Sequence, residues 1–189
     1  MSEDYEDESV RHAYQRYGVE GFYRTQGDTY RNPHEAALRR AIAAVARAHR
    51  LDLGHVLDLA CGSGEATLAL RELGAAQVDG ADPYTARAYQ ERTGQPAEPL
   101  SFEDVAAGAM AGRRYTLIVC SFAMHLVAPS WLPLLCYWLA QASPHLLVLT
   151  PHKRPQLRPE WGWDLQDEIV VERVRARLYA AHAGAEGAL

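Results

Sequence analysis

Residues 56–70 read VLDLACGSGEATLAL. A hydrophobic run carries the acid Asp58, turns through Gly62 and Gly64, and enters a helix-forming segment. At a strand–turn–helix junction of this kind backbone N–H groups point outward and a ligand can approach the chain closely. A Cβ in the turn would block that approach, which is why glycines stand there. The spacing departs from the GxGxxG dinucleotide fingerprint, because Thr67 occupies the third position. Asp58 would repel a pyrophosphate but could hold a cationic amino group. These residues therefore suit a nucleoside bearing an amino acid better than NAD. VDGADPY then places Asp82 eighteen residues after Gly64. An acid there can accept both hydroxyls of a ribose, or it can cap the helix beginning near Pro83.

Two histidines are candidates for proton transfer. His125 follows the run YTLIVC by a few residues, and His152 follows HLLVLT. In an open α/β sheet the ligand lies beyond the carboxyl ends of the strands, so both should border the pocket. Either could act as a base. His125 could instead bond backbone at a helix start, and His152 could be a loop residue that, with Lys153 and Arg154, binds an anionic acceptor. Trp161 and Trp163 could stack on a flat acceptor or pack against the terminal strand. Tyr23, Tyr30, Asn32 and His34 offer aromatic faces and donors, as a lid or as a surface arm. Cys61 has no second thiol or base beside it and reads as a packed residue. The histidines lack metal-ligand spacing, so no metal is expected.

These groups need elements to hold them. Asn32 can cap a helix, with Pro33 in its first turn and Leu38, Ile42 and Val45 at helical spacing, running to about residue 50. Strands follow at 55–59, 77–81, 115–120 and 145–150, and helices at 65–73, 85–92, near 104–107 and at 131–141. In the last segment Val170, Val174, Ala176 and Leu178 alternate with Arg173, Arg175 and Arg177. That period of two favours an edge strand. Alternating strands and helices imply an α/β fold: a Rossmann-like doubly wound, mostly parallel sheet with helices on both faces and a C-terminal antiparallel edge strand. Three zones are expected: a disordered acidic N-terminus over 1–10, an arm and helix over 11–50, and a ligand-binding core over 51–189 that forms a single domain with the arm.

Composition bounds the rest. The chain has 189 residues, 48% of them hydrophobic and 23% charged, as in a globular domain. Of its 24 acids, five lie in the first ten residues, so residues 11–189 carry 19 acids against 19 bases. A duplex nucleic-acid binder usually has a basic excess. Only residues 11–50 show one, with eight Arg against Glu20, Asp28 and Glu35, which keeps RNA open as a partner. No apolar stretch approaches the ~20 residues that span a bilayer, and the start lacks a secretory layout. The expectation is a cytoplasmic protein.

Asp58-x-Ala60-x-Gly62-x-Gly64, followed by Asp82, resembles the first motif and the ribose acid of the class I S-adenosylmethionine (SAM)-dependent methyltransferases. The resemblance covers residues 33–180. YRNPH (30–34), SFAMHL (121–126), and TPHKRP with WGW (150–163) resemble, more narrowly, a small microbial methyltransferase group. The resemblance implies SAM as cofactor, with S-adenosylhomocysteine (SAH) as product. It implies that Ala60, Gly62 and Gly64 line the methionine and ribose portion and that Asp58 holds the ammonium. Asp82 would bind the ribose, with Pro83 and Tyr84 along the adenine. Asp104, or its neighbour Glu103, would meet the adenine amine, with Phe102 packing on the ring. Cys120 and Ser121 would face the sulfonium and the acceptor. The expected activity is methyl transfer to an O or N atom of a small-molecule acceptor. An RNA or protein methyltransferase and a non-catalytic SAM-binding protein are the alternatives. The family's final antiparallel hairpin is expected to be shortened here, leaving a monomer or, through the exposed edge, a homodimer.

Overall fold

The structure is a computed structural model, and it describes Asn32 and residues 34–182. Tyr23 and Tyr30, and the acidic start, lie outside the described residues. Seven strands form one sheet in the order β3-β2-β1-β4-β5-β7-β6. The first five, β1 (His55–Leu59), β2 (Gln77–Ala81), β3 (Ala97–Glu98), β4 (Leu117–Ser121) and β5 (His145–Thr150), are mutually parallel. The sheet reverses its winding between β1 and β4, the place where α/β sheets open a ligand crevice.

The period of two in the strands sorts the core into two layers. Leu57, Leu59, Ile118, Cys120, Leu146 and Val148 face the apolar helix α5 (Leu132–Ala142). Val56, Leu117, Val119, Leu147 and Leu149 face α1 (Glu35–His49) and α2 (Glu65–Glu72). On α1 the stripe Leu38, Ala41, Ile42 and Val45 is buried to 1% exposure or less, at the helical spacing read from sequence. Between these lie α3 (Ala86–Thr93) and the single turn α4 (Phe102–Asp104), which runs into a wide turn over Val105–Ala109.

The helix start differs from expectation. The position preceding α1 is His34, and Asn32 stays outside the helix. Asn32 Oδ1 accepts from His34 N–H at 2.9 Å, while Asn32 N–H donates to Glu65 Oε1 at 3.0 Å. That second bond ties Asn32 to the start of α2, while its carbonyl accepts from Glu35 N–H at 3.2 Å.

The C-terminal edge also differs. A full hairpin is present: β6 (Trp163–Val171) and β7 (Val174–Ala181) pair antiparallel, and β7, not β6, adjoins β5. The segment read as one edge strand is thus the inner strand of two. Its arginines are not all on a wet face. Arg177 is 1% exposed, and Nε donates to Glu168 Oε2 at 2.6 Å across the hairpin. Its other donors reach the carbonyls of Pro155 (3.1 Å) and Lys153 (3.0 Å).

Candidate active site

The glycine turn leaves β1 through Ala60 at φ +56° and Gly62 at φ +55°, and Gly64 at φ +89° starts α2. Left-handed backbone is costly for any residue with a Cβ, so Ala60 stores strain where a glycine would store none. A Cβ on Gly64 would stand 2.5 Å from Thr93 Cγ2, so close packing also fixes that glycine.

Asp82 braces this turn. Its Oδ1 accepts from Tyr84 N–H (2.8 Å) and Thr85 N–H (3.1 Å), and its Oδ2 accepts from Gly62 N–H (3.2 Å). Burial raises its pKa against these stabilising bonds. Asp82 does not cap α3, whose cap position is Thr85; it holds the turn before that helix and stands in the wall of a cavity.

That cavity has a volume of about 250 Å³ and lies at the carboxyl ends of β1, β2 and β4. Among residues expected at the site, Asn32, Ala60, Gly62, Asp82, Pro83, Tyr84, Phe102, Glu103 and Ser121 form its wall. Glu65, Phe122 and Leu126 also line it and were not anticipated. Glu65 is 3% exposed, pairs with Arg92 at 3.1 Å, and accepts from Ser63 Oγ at 2.5 Å. Phe122 has φ +56° and stacks on His34, ring centroids 5.5 Å apart. Its position directly after a strand-end serine was the signal available in sequence.

Four expected residues stand elsewhere. Asp104 is spent on the capping box of α4: its carboxylate accepts from Ser101 N–H at 2.9 Å, and its N–H donates to Ser101 Oγ at 3.1 Å. Glu103 faces the cavity in its place. Cys120 is fully buried in the layer beneath α5, while Ser121, one residue on, reaches the wall. Gly64 lies behind the turn. Asp58 is also behind it, because its parity in β1 points it at α2. Asp58 Oδ2 accepts from Thr67 N–H (2.9 Å) and Thr67 Oγ1 (2.7 Å), and Thr67 Oγ1 lies 3.0 Å from Tyr89 Oη. Asp58 Oδ1 is buried without a partner among the described residues. Complete burial raises its pKa to about 7.

A second cavity, of about 790 Å³, lies beside the first. The turn Met124–Leu126 is the partition: Leu126 faces the first cavity and His125 the second. His125 and His152 have ring centroids 4.4 Å apart. Burial, then the neighbouring His152, lowers the His125 pKa to about 4. Its Nδ1 is buried with no hydrogen-bond partner among the described residues. Lys153, Arg154 and Trp161 line this second cavity. Trp163 does not: it is fully buried and donates Nε1–H to the Cys136 carbonyl at 3.0 Å, anchoring β6 to α5. Among the described residues no cluster of His, Cys, Asp and Glu could hold a metal, and no helix is long and apolar enough to cross a membrane.

Comparison with known proteins bears directly on this architecture. A family model described as a methyltransferase domain matches residues 30–181. The chain belongs to this methyltransferase family. Its cofactor is SAM. A protein of Schizosaccharomyces pombe named only as uncharacterized is 34% identical, over 86% of this chain and 88% of that one. Among solved structures, the magnesium protoporphyrin IX methyltransferase of Synechocystis PCC 6803 with bound SAH is 18% identical, with a TM-score of 0.60, over 93% of this chain and 100% of that one. A TehB-like SAM-dependent methyltransferase of Corynebacterium glutamicum is 14% identical, with a TM-score of 0.58, over 93% of this chain and 100% of that one. At these identities the structural likeness establishes the fold of this methyltransferase.

Proposed function

We propose that this methyltransferase acts on an oxygen or nitrogen atom of a small-molecule acceptor, with SAM in the first cavity and the acceptor in the second. The observation that carries this reading is the partition turn, which sets Leu126 and His125, consecutive residues, on opposite sides.

The donor set of the first cavity suits SAM. The glycine turn offers backbone N–H groups, Asp82 and Glu103 offer acceptors for hydroxyl and amine groups, and Phe102 offers an apolar face for a flat base. When bound, SAM supplies a methyl carbon activated by its sulfonium. The chain's own residues do the rest. Asp58 holds the first turn of α2 through Thr67, and so acts on the glycine turn from behind. Leu126 closes the wall toward the acceptor and excludes water. His125 is neutral at physiological pH and can accept a hydrogen bond from the O–H or N–H of the acceptor, while the burial that lowers its pKa to about 4 makes it a weak base.

Against an RNA acceptor, two of the described arginines of the basic segment are already ion-paired: Arg39 with Glu35 and Glu72, and Arg40 with Glu172.

Calorimetric titration with SAM and SAH tests the cofactor half of the reading. Phe102→Ala and Glu103→Ala are the informative variants, because Asp82→Ala would also release three backbone N–H groups of the turn. The expected result is micromolar binding by the wild type, weakened about tenfold by Phe102→Ala through lost stacking, with unchanged melting. Absence of SAM binding would sink the reading.

A further inference from the structure

We infer that the second cavity selects an acceptor carrying a carboxylate on an apolar body; the word acceptor rests on the methyl-transfer reading above. Three features lead there. The first is uncompensated charge. Lys153, Arg154 and Arg158 line the cavity, and no acidic side chain does. Elsewhere Arg92, Arg113, Arg175 and Arg177 are each ion-paired. Among the described residues no acid pairs with Lys153 or Arg154, and Arg158 rests its guanidinium over the Trp161 ring, 5.3 Å from the centroid. Glu160 is exposed and outside the wall. Three cations lining one cavity with no acid among them make a local positive potential that favours an anion there.

The second feature is the support of the loop. Arg177, buried beneath it, donates to the carbonyls of Lys153 and Pro155 while Glu168 balances its charge. The cationic segment is therefore held in place before any ligand arrives, which lowers the entropy lost on binding. A guanidinium presents several donors in one plane, which match the two oxygens of a carboxylate.

The third feature is the remaining wall. Leu132, Leu157 and Trp161 supply apolar wall in the same cavity. His125, at the partition, marks the end at which the reacting atom sits, so the carboxylate anchors one end of the acceptor and the methylated atom lies at the other.

Naphthalene-1-acetate and its neutral isostere naphthalene-1-acetamide test this charge requirement by calorimetry. Both are titrated into the full chain and into the double variant Lys153→Ala/Arg154→Ala, whose side chains are exposed and whose folding is checked by melting. The acetate should bind the wild type at least tenfold more tightly than the amide, and the double variant should lose that preference while SAM affinity stays unchanged. Equal affinities in the wild type, no binding of either probe, or a preference that survives in the variant would each overturn the inference. If the preference appears but SAM does not bind, the anion subsite stands and the methyl-transfer reading falls.

Discussion

Replacing Asp58 with Asn should change how stability responds to pH. The wild-type carboxyl is completely buried, its Oδ1 has no partner among the described residues, and its pKa rises from 3.8 to about 7. The unfolded chain therefore ionises this group near pH 4 while the folded chain keeps its proton until near pH 7. The favourable contribution of the protonated form is fully present below about pH 4 and is lost as pH rises through 7. A shift of that size corresponds to about 4 kcal/mol, at 1.36 kcal/mol for each pKa unit. Asn presents an oxygen to the Thr67 donors but cannot ionise. Urea denaturation of both proteins from pH 4 to pH 8 isolates the effect, since every other titrating group contributes to both curves. The two should lie close together at pH 4, and the Asn variant should gain up to about 4 kcal/mol relative to wild type by pH 8. Parallel curves would refute the claim that folding holds a proton on Asp58.

Other perturbations give distinct results. Ala60→Gly relieves a left-handed residue and should raise the urea midpoint by roughly 1 kcal/mol of stability; an unchanged or lower midpoint would show the strain is absent. Gly80→Ala puts a Cβ 2.3 Å from Tyr89 Cζ and should cost about 1–3 kcal/mol. Pairing it with Tyr89→Leu should recover part of that loss in a double-mutant cycle, and strict additivity would contradict the clash. Arg177→Met removes the Nε bond to Glu168, which keeps Arg175 at 2.8 Å, and both bonds to the Lys153 and Pro155 carbonyls, and should cost about 1–3 kcal/mol; it should also speed hydrogen exchange in residues 153–157. The His125 pKa is lowered to about 4, so this group takes stability away as pH falls from 6.5 toward 4. His125→Gln should flatten that acidic limb, and an identical limb in the variant would count against it.

Most of the parallel half of the sheet was legible because its longer strands are apolar-containing runs closed by a turn signal. β1, β2 and β5 begin and end where that pattern places them. β3 escaped because two residues beside Pro99 carry no periodicity. β6 escaped because the polar stretch QDE interrupts any alternation in WDLQDEIVV and only Trp163 of the strand is buried, as an edge strand tends to be. Its partner Arg177 looked solvent-facing for the same reason: burial of an arginine depends on Glu168 lying directly across the ladder, and pairing register is not written in either strand alone. Types and spacing placed the glycine turn, Asp82 and His125 on cavity walls, whereas His152 lines neither cavity and sets its ring beside that of His125. Which of two adjacent residues lines the cavity was harder. Glu103 against Asp104 was decided by a local capping box, and Ser121 against Cys120 by the parity of β4.

The two cavities hang from different parts of the sheet. The first is framed by turns leaving the parallel strands β1, β2 and β4, whereas the loop carrying Lys153 and Arg154 is tied through Arg177 to the antiparallel hairpin. Substitutions that reshape that loop need not disturb the glycine turn. A lineage built on this plan could thus exchange one acceptor for another by drift in a handful of codons near the C-terminus, with its use of SAM left intact throughout.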